Sequence, residues 1–220
     1  MHAKRDIATG EQVTDSYGNK PNQALLTMYG FIEPNNPDKL PIVLSTINIP
    51  KNDYLVVLKQ GVLGDAPTFK LKAHRDFMSP IVQQSLSILR VILFNDVSDM
   101  DQLADRPNQF VDTKHVTPFT KKHEIKVLLE MSRIIRKSLG EYPRTLSGDL
   151  AMLRSGEVTK NQRNILSITI EEKETLTKLI ETNEAIISLL LLEKEEALKK
   201  ISEEERWKPV EEYLTGLLNL

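Results

Sequence analysis

The sequence predicts an α+β chain: a short β-rich segment at the amino end, followed by a mainly α-helical domain. Three observations carry this. Residues 1–35 are rich in turns and short apolar patches, the cluster Glu33-Pro34-Asn35-Asn36-Pro37-Asp38 breaks any regular element, and beyond residue 79 apolar side chains recur with helical period. The expected organisation is therefore 1–35, a connecting region 36–78 with strands and a short helix, and a helical region 79–220.

In order along the chain, Ile7 and Val13 flank the turn Ala8-Thr9-Gly10 and suit a strand-turn-strand edge. Pro21-Asn22 starts a helix that runs through Leu26 to Tyr29, and Gly30 ends it. A strand is expected over Leu40 to Ile47, a short helix from Pro50 to Lys59, and a second strand over the alternating stretch Thr68 to Ala73. Ser79 can cap a helix whose first turn tolerates Pro80, with Val82, Leu86, Leu89 and Leu93 on one face. Another helix spans Lys121 to Leu139 with Ile125, Leu128, Leu129, Ser132 and Ile135 inward, and Gly140 and Pro143 stop it. A short helix covers Leu146 to Leu153. From Lys160 to Ser202 the spacing of Leu176, Leu179, Ile180, Ile186, Ile187, Leu190, Leu191, Leu198 and Ile201 predicts one long helix or two stacked ones. Its other face is acidic, with 11 acidic against 6 basic side chains between Glu171 and Arg206 and i,i+4 pairs Glu195–Lys199 and Glu196–Lys200. Trp207-Lys208-Pro209 interrupts the pattern before a final short helix.

Composition excludes several classes. A net charge of −2 over 220 residues, with no dominant basic stripe, argues against a nucleic-acid partner. There is no cysteine, which removes disulfides and thiolate zinc sites. The longest apolar run, Ile186 to Leu192, is well short of the roughly 20 residues a membrane span needs, and the first twelve residues lack a signal-peptide core. A soluble intracellular protein is expected. His2, His74, His115 and His123 show no metal spacing, and Ser147-Gly148-Asp149 reads as a helix cap rather than a nucleophile turn. Arg133, Arg136 and Lys137, near His123 and Lys121-Lys122, form a basic face; it reads as solvated, or as a contact for an acidic protein.

Residues 10–31 carry the chemistry. Gly10-Glu11, Tyr17-Gly18, Asn22, Leu25-Leu26 and Tyr29-Gly30-Phe31 resemble the carboxy-terminal signature of a SET methyltransferase domain of the Rubisco large-subunit lysine methyltransferase-like family. The order of a SET end and a helical region, with Thr159 to Arg163 leading into Glu171-Glu172-Lys173, is similar to that family too. The resemblance implies S-adenosylmethionine as cofactor, a protein substrate docked on the helical domain, and methyl transfer to lysine. It implies that catalytic Tyr17 orients the amine, Tyr29 lines the lysine channel, and Phe31 and Gly18 lie on the cofactor side. Those residue types suit the task. A tyrosine ring walls an apolar channel while its hydroxyl bonds the amine, aromatic faces tolerate a methylammonium, and low polarity favours the neutral amine. Gly18 and Gly30 allow close backbone approach, and Asn22 reads as a helix cap or a ligand contact.

The glycine-rich cofactor loop and the Asn-His motif of the family do not occur in these residues, and Gly61-Val62-Leu63-Gly64 replaces neither. The expectation is a carboxy-terminal fragment, inactive alone, whose first 35 residues are poorly ordered or self-associating for want of sheet partners. The alternatives are a non-catalytic protein-binding helical module and, since a related branch modifies actin, a protein-histidine methyltransferase.

Overall fold

A computed structural model describes residues 5–13, 17–64, 66–95 and 115–220. The chain divides into two compact units, one up to Leu40 and one from Pro41 to Leu220.

In the first unit the one regular element among the described residues is α1 (Asn22–Tyr29). Ile7 and Val13 do not form the expected strands. They flank a turn closed by the Glu11 amide donating to the Ala8 carbonyl at 3.0 Å, and Val13 is 73% exposed. A strand gains its stability from a paired neighbour, and none is present there among the described residues. The Glu11 carboxylate instead accepts from the Ala8 amide at 3.1 Å and pairs with Arg5, which holds its pKa below the ordinary value.

The second unit begins with a two-stranded antiparallel sheet, β1 (Ile42–Ile47) and β2 (Phe69–Ala73), registered Ile42 opposite Ala73 and Ile47 opposite Phe69. A bulge lies between Val43 and Ser45, and the Ser138 hydroxyl donates to the Leu44 carbonyl there at 2.9 Å. Helix α2 (Val56–Leu63) starts later than the Pro50 expected from the sequence. Residues 50–55 are taken up by turns in which the Asp53 carboxylate accepts from the Leu55 amide at 2.8 Å and from Lys59 at 2.6 Å. Local side-chain bonds of this kind compete with helix.

Helix α3 (Pro80–Ile92) is capped by Ser79 as expected, and α4 (Lys121–Gly140) by Thr120. Ser85 of α3 both donates to the Lys72 carbonyl and accepts from the Lys72 amide, each at 2.8 Å, so it satisfies backbone groups of β2. Helix α5 (Leu146–Ser155) is capped by Thr145 rather than by Ser147. Helix α6 (Lys160–Leu190) opens with a Thr159/Gln162 capping box. It ends at Leu191, and α7 (Lys194–Glu203) follows, so the long periodic segment is two helices. Trp207-Lys208-Pro209 lies in a 3-10 turn, Glu205–Val210, before α8 (Glu211–Leu218).

One core joins sheet and helices: Leu71, Leu86, Leu89, Leu128, Met131, Ile135, Leu176, Leu190 and Leu214 are all buried within it. Two of the expected inward residues point out. Leu129 is 53% and Leu191 71% exposed, because the buried stripe of α4 is set by Val127, Leu128, Met131 and Ile135, and Leu191 is the residue at which α6 stops.

Candidate functional site

Helix α1 follows Pro21, which fixes the chain in an extended approach, and stops where Gly30 takes a left-handed φ of 75° and donates its amide to the Leu26 carbonyl at 3.0 Å. That reversal turns the chain back along the helix. Asn22 then holds the return. Its Oδ1 accepts from the Glu33 amide at 2.9 Å and from Asn36 Nδ2 at 3.1 Å, while its Nδ2 donates to the Glu33 carbonyl at 3.0 Å. Asn36 also donates to the Lys20 carbonyl at 2.8 Å and accepts from the Asp38 amide at 2.9 Å. Both asparagines are buried. Asn22 is therefore neither a cap of its own helix nor turned out towards a ligand, but the clasp of the Gly30–Asn36 return. Asn36 had no motif to mark it; the signal in hindsight is a second asparagine placed after the Pro34 turn.

With both ends of the return fixed, the three aromatic residues of the signature come together. The Tyr17 ring lies 4.4 Å from that of Tyr29 and 5.5 Å from that of Phe31, and Tyr29 and Phe31 are 6.3 Å apart, all tilted rather than stacked. These spacings are within the favourable range for aromatic pairs. Gly18, beside Tyr17, has φ 72°, and a Cβ there would meet nothing within 4 Å, so its role is conformational. Tyr17 is 54% and Tyr29 43% exposed. The three rings with Gly18 thus form an open aromatic wall.

On the basic face the two arginines are paired. Arg133 is held by Glu130 at 2.7 and 2.6 Å, and Arg136 pairs with Glu184 of α6. Asp149 of the Ser147-Gly148-Asp149 stretch is buried and accepts from Arg144 at 2.7 Å and from the buried Lys173 of α6. No three metal-ligating side chains cluster among the described residues, and among them no helix is long and apolar enough to cross a membrane.

The sequence model of the family described as Rubisco LSMT substrate-binding matches residues 50–176, more than half of the chain. The chain belongs to that family. Among curated relatives, the actin-histidine N-methyltransferase of Homo sapiens is 26% identical over 188 residues and that of Xenopus tropicalis 27% over 186, in each case 82% of this chain and 31% of the relative. The chain therefore spans about a third of the length of these relatives. Among solved structures, the SET domain of LSMT bound to methyl-lysine and AdoHcy superposes with a TM-score of 0.63 at 22% identity, covering 93% of this chain and 48% of that one. Rubisco LSMT bound to AdoMet gives the same score and identity. The fold is that of an LSMT-like protein, part of a SET domain followed by a helical domain.

Proposed function

We propose that this chain is the carboxy-terminal part of an S-adenosylmethionine-dependent protein-lysine methyltransferase. Residues 1–35 are then the end of the SET domain, 36–78 a connecting region, and 79–220 the region on which the protein substrate docks. The observation that carries the reading is the convergence of Tyr17, Tyr29 and Phe31 on one wall, at the positions where the SET signature expects its aromatic residues. S-adenosylmethionine, when bound, supplies the electrophilic methyl group. The work of the chain is to orient and to exclude water. The Tyr17 hydroxyl holds the lysine amine, Tyr29 walls the approach of the lysine stem, and Phe31 with Gly18 borders the cofactor. Positioning of this kind contributes several kcal/mol in well-oriented reactions, on the order of 7–11 at the limit.

A second reading is favoured by one finding: the curated relatives named above are actin-histidine N-methyltransferases. Under it the same wall orients an imidazole.

The test joins the preceding part of a structural relative's SET domain ahead of this chain and follows a labelled methyl group from S-adenosylmethionine into protein. Transfer is expected on lysine, falling roughly 10²-fold in Tyr17→Phe. Label on histidine alone selects the second reading, and transfer indifferent to residue 17 overturns both. The unfused chain, titrated calorimetrically with S-adenosylmethionine, is expected to give no binding heat.

A further inference from the structure

The second unit contains a cleft of about 300 Å³ between the end of α3 and the start of α4 that the methyl-transfer reading does not use. Its wall is aromatic. Phe94 and Phe119, both buried, have ring centroids 4.9 Å apart, and the His123 ring stands 6.1 and 5.2 Å from them. Its rim is polar and cationic: Asn95, Lys122 and Lys126 line it, and among the described residues no carboxylate does. Lys122 and Lys126 are exposed and have no ion pair among the described residues. The adjacent Glu124 does not neutralise them, being committed to Arg90 and to the Tyr213 hydroxyl. Both His123 ring nitrogens are shielded from water without a well-formed hydrogen bond, which is costly for a polar group unless something completes it.

We propose that this cleft binds a carboxylate carried on an apolar stem, the stem lying against Phe94 and Phe119 and the carboxylate held by Lys122 and Lys126 beside His123. The chemistry is shared by a free aromatic acid and by an acidic side chain of a docked protein. Burial, with the positive charges of Lys126 and Arg90, holds His123 below its ordinary pKa of 6.5 against the opposing pull of Glu124 and the Leu93 backbone. A bound carboxylate adds a negative charge, raises that pKa and draws a proton onto the ring. Affinity therefore rises as pH falls from the pKa of the bound state towards that of the free one. The inference stands whether or not the chain takes part in methyl transfer.

The experiment titrates the 220-residue chain with benzoate, using acetate as the stemless comparison and benzamide as the uncharged one. Amide and imidazole NMR signals of residues 94, 95, 122 and 123 report binding. Benzoate is expected to bind at least about tenfold more tightly than either comparison, equivalent to about 1.4 kcal/mol, and more tightly at pH 6 than at pH 7.5. The double variant Lys122→Gln, Lys126→Gln should weaken it about tenfold while leaving the thermal midpoint in place. Tighter binding of a blocked phenylalanyl-glutamate dipeptide than of benzoate assigns the acid to a protein side chain; the reverse order assigns a free acid. Equal binding of benzamide, indifference to the double variant, or no saturable shift at these signals overturns the proposal.

Discussion

Arg90 of α3 and Glu124 of α4 meet in a two-pronged ion pair inside the helical unit, Nε to Oε2 at 2.8 Å and Nη2 to Oε1 at 2.6 Å, with both side chains almost wholly buried. Further bonds surround the pair. Arg90 Nη1 donates to the Val116 carbonyl at 2.5 Å, and the Tyr213 hydroxyl of α8 donates to Glu124 at 2.6 Å. Three helices far apart in sequence are thereby tied at one point. Burial, together with the carboxylate beside it, pushes the Tyr213 hydroxyl well above its ordinary pKa, so it stays a donor.

Removing one half of this pair strands a charge in the core. Glu124→Ala should cost about 3–5 kcal/mol, while Arg90→Met combined with Glu124→Leu should recover most of that loss, because an apolar pair of similar volume has no desolvation penalty. Urea denaturation of the single and double variants checks it. A double variant no more stable than Glu124→Ala would mean that the pair is needed for packing itself.

Asp149 and Lys173 form a second buried pair, joining α5 to α6, and the Lys173 ammonium also donates to the Arg144 carbonyl at 2.7 Å. Burial alone would raise the Asp149 carboxyl; hydrogen bonds from Lys173 and Arg144 outweigh it and hold the pKa below the ordinary 3.8. The folded value is thus the lower one, so this stabilisation is complete above about pH 4 and is lost as pH falls through the folded value. Asp149→Asn should destabilise the protein at pH 7 and flatten the acid limb of its stability profile. An unchanged acid limb in thermal melts would exclude Asp149 as its source.

Asn22 is predicted to hold the aromatic wall by way of the Glu33 backbone. Asn22→Ala leaves the Glu33 amide and carbonyl without their side-chain partner, at a local cost of about 1–3 kcal/mol. Hydrogen exchange at the Glu33 amide should quicken, with the Tyr17 and Phe31 ring signals moving towards free positions. Exchange at Glu33 as slow in the variant as in the parent would show that Gly30 and Pro34 suffice to hold the return.

His123 gives a separate pH effect. Its folded pKa lies below the unfolded value near 6.5, so the unfolded chain takes up a proton first and stability declines as pH drops below about 6.5. His123→Phe, which keeps an aromatic ring against Phe94 and Phe119, should remove that part of the decline. Parallel pH profiles for the two proteins would rule out His123 as the group responsible.

Much of the helical unit was readable in advance. Ser79 precedes a helical run that opens with Pro80 and caps it as its chemistry dictates, whereas the Thr159/Gln162 capping box was not foreseen. Val82, Leu86 and Leu89 keep the helical period and are buried. The errors fall where period alone was asked to choose. Leu129 and Leu191 are as apolar as their neighbours, and only the position of the facing helices decides which side of the cylinder is inside. The Pro50 helix began late because Asp53 bonds its own neighbourhood, a local competition that propensity does not rank.

The sequence by itself determined the chemistry available at the site, namely two tyrosines and a phenylalanine beside glycines, and the helices with their caps, because these depend on residue type and short spacing. Tertiary structure alone decided which of those residues meet. Gly30 and the Asn22 clasp bring Phe31 back to Tyr17 across fourteen residues. Arg90, Glu124 and Tyr213 become one buried network, and Phe94 meets Phe119 beside His123. Contacts of that separation depend on how the elements pack, and no local pattern encodes them.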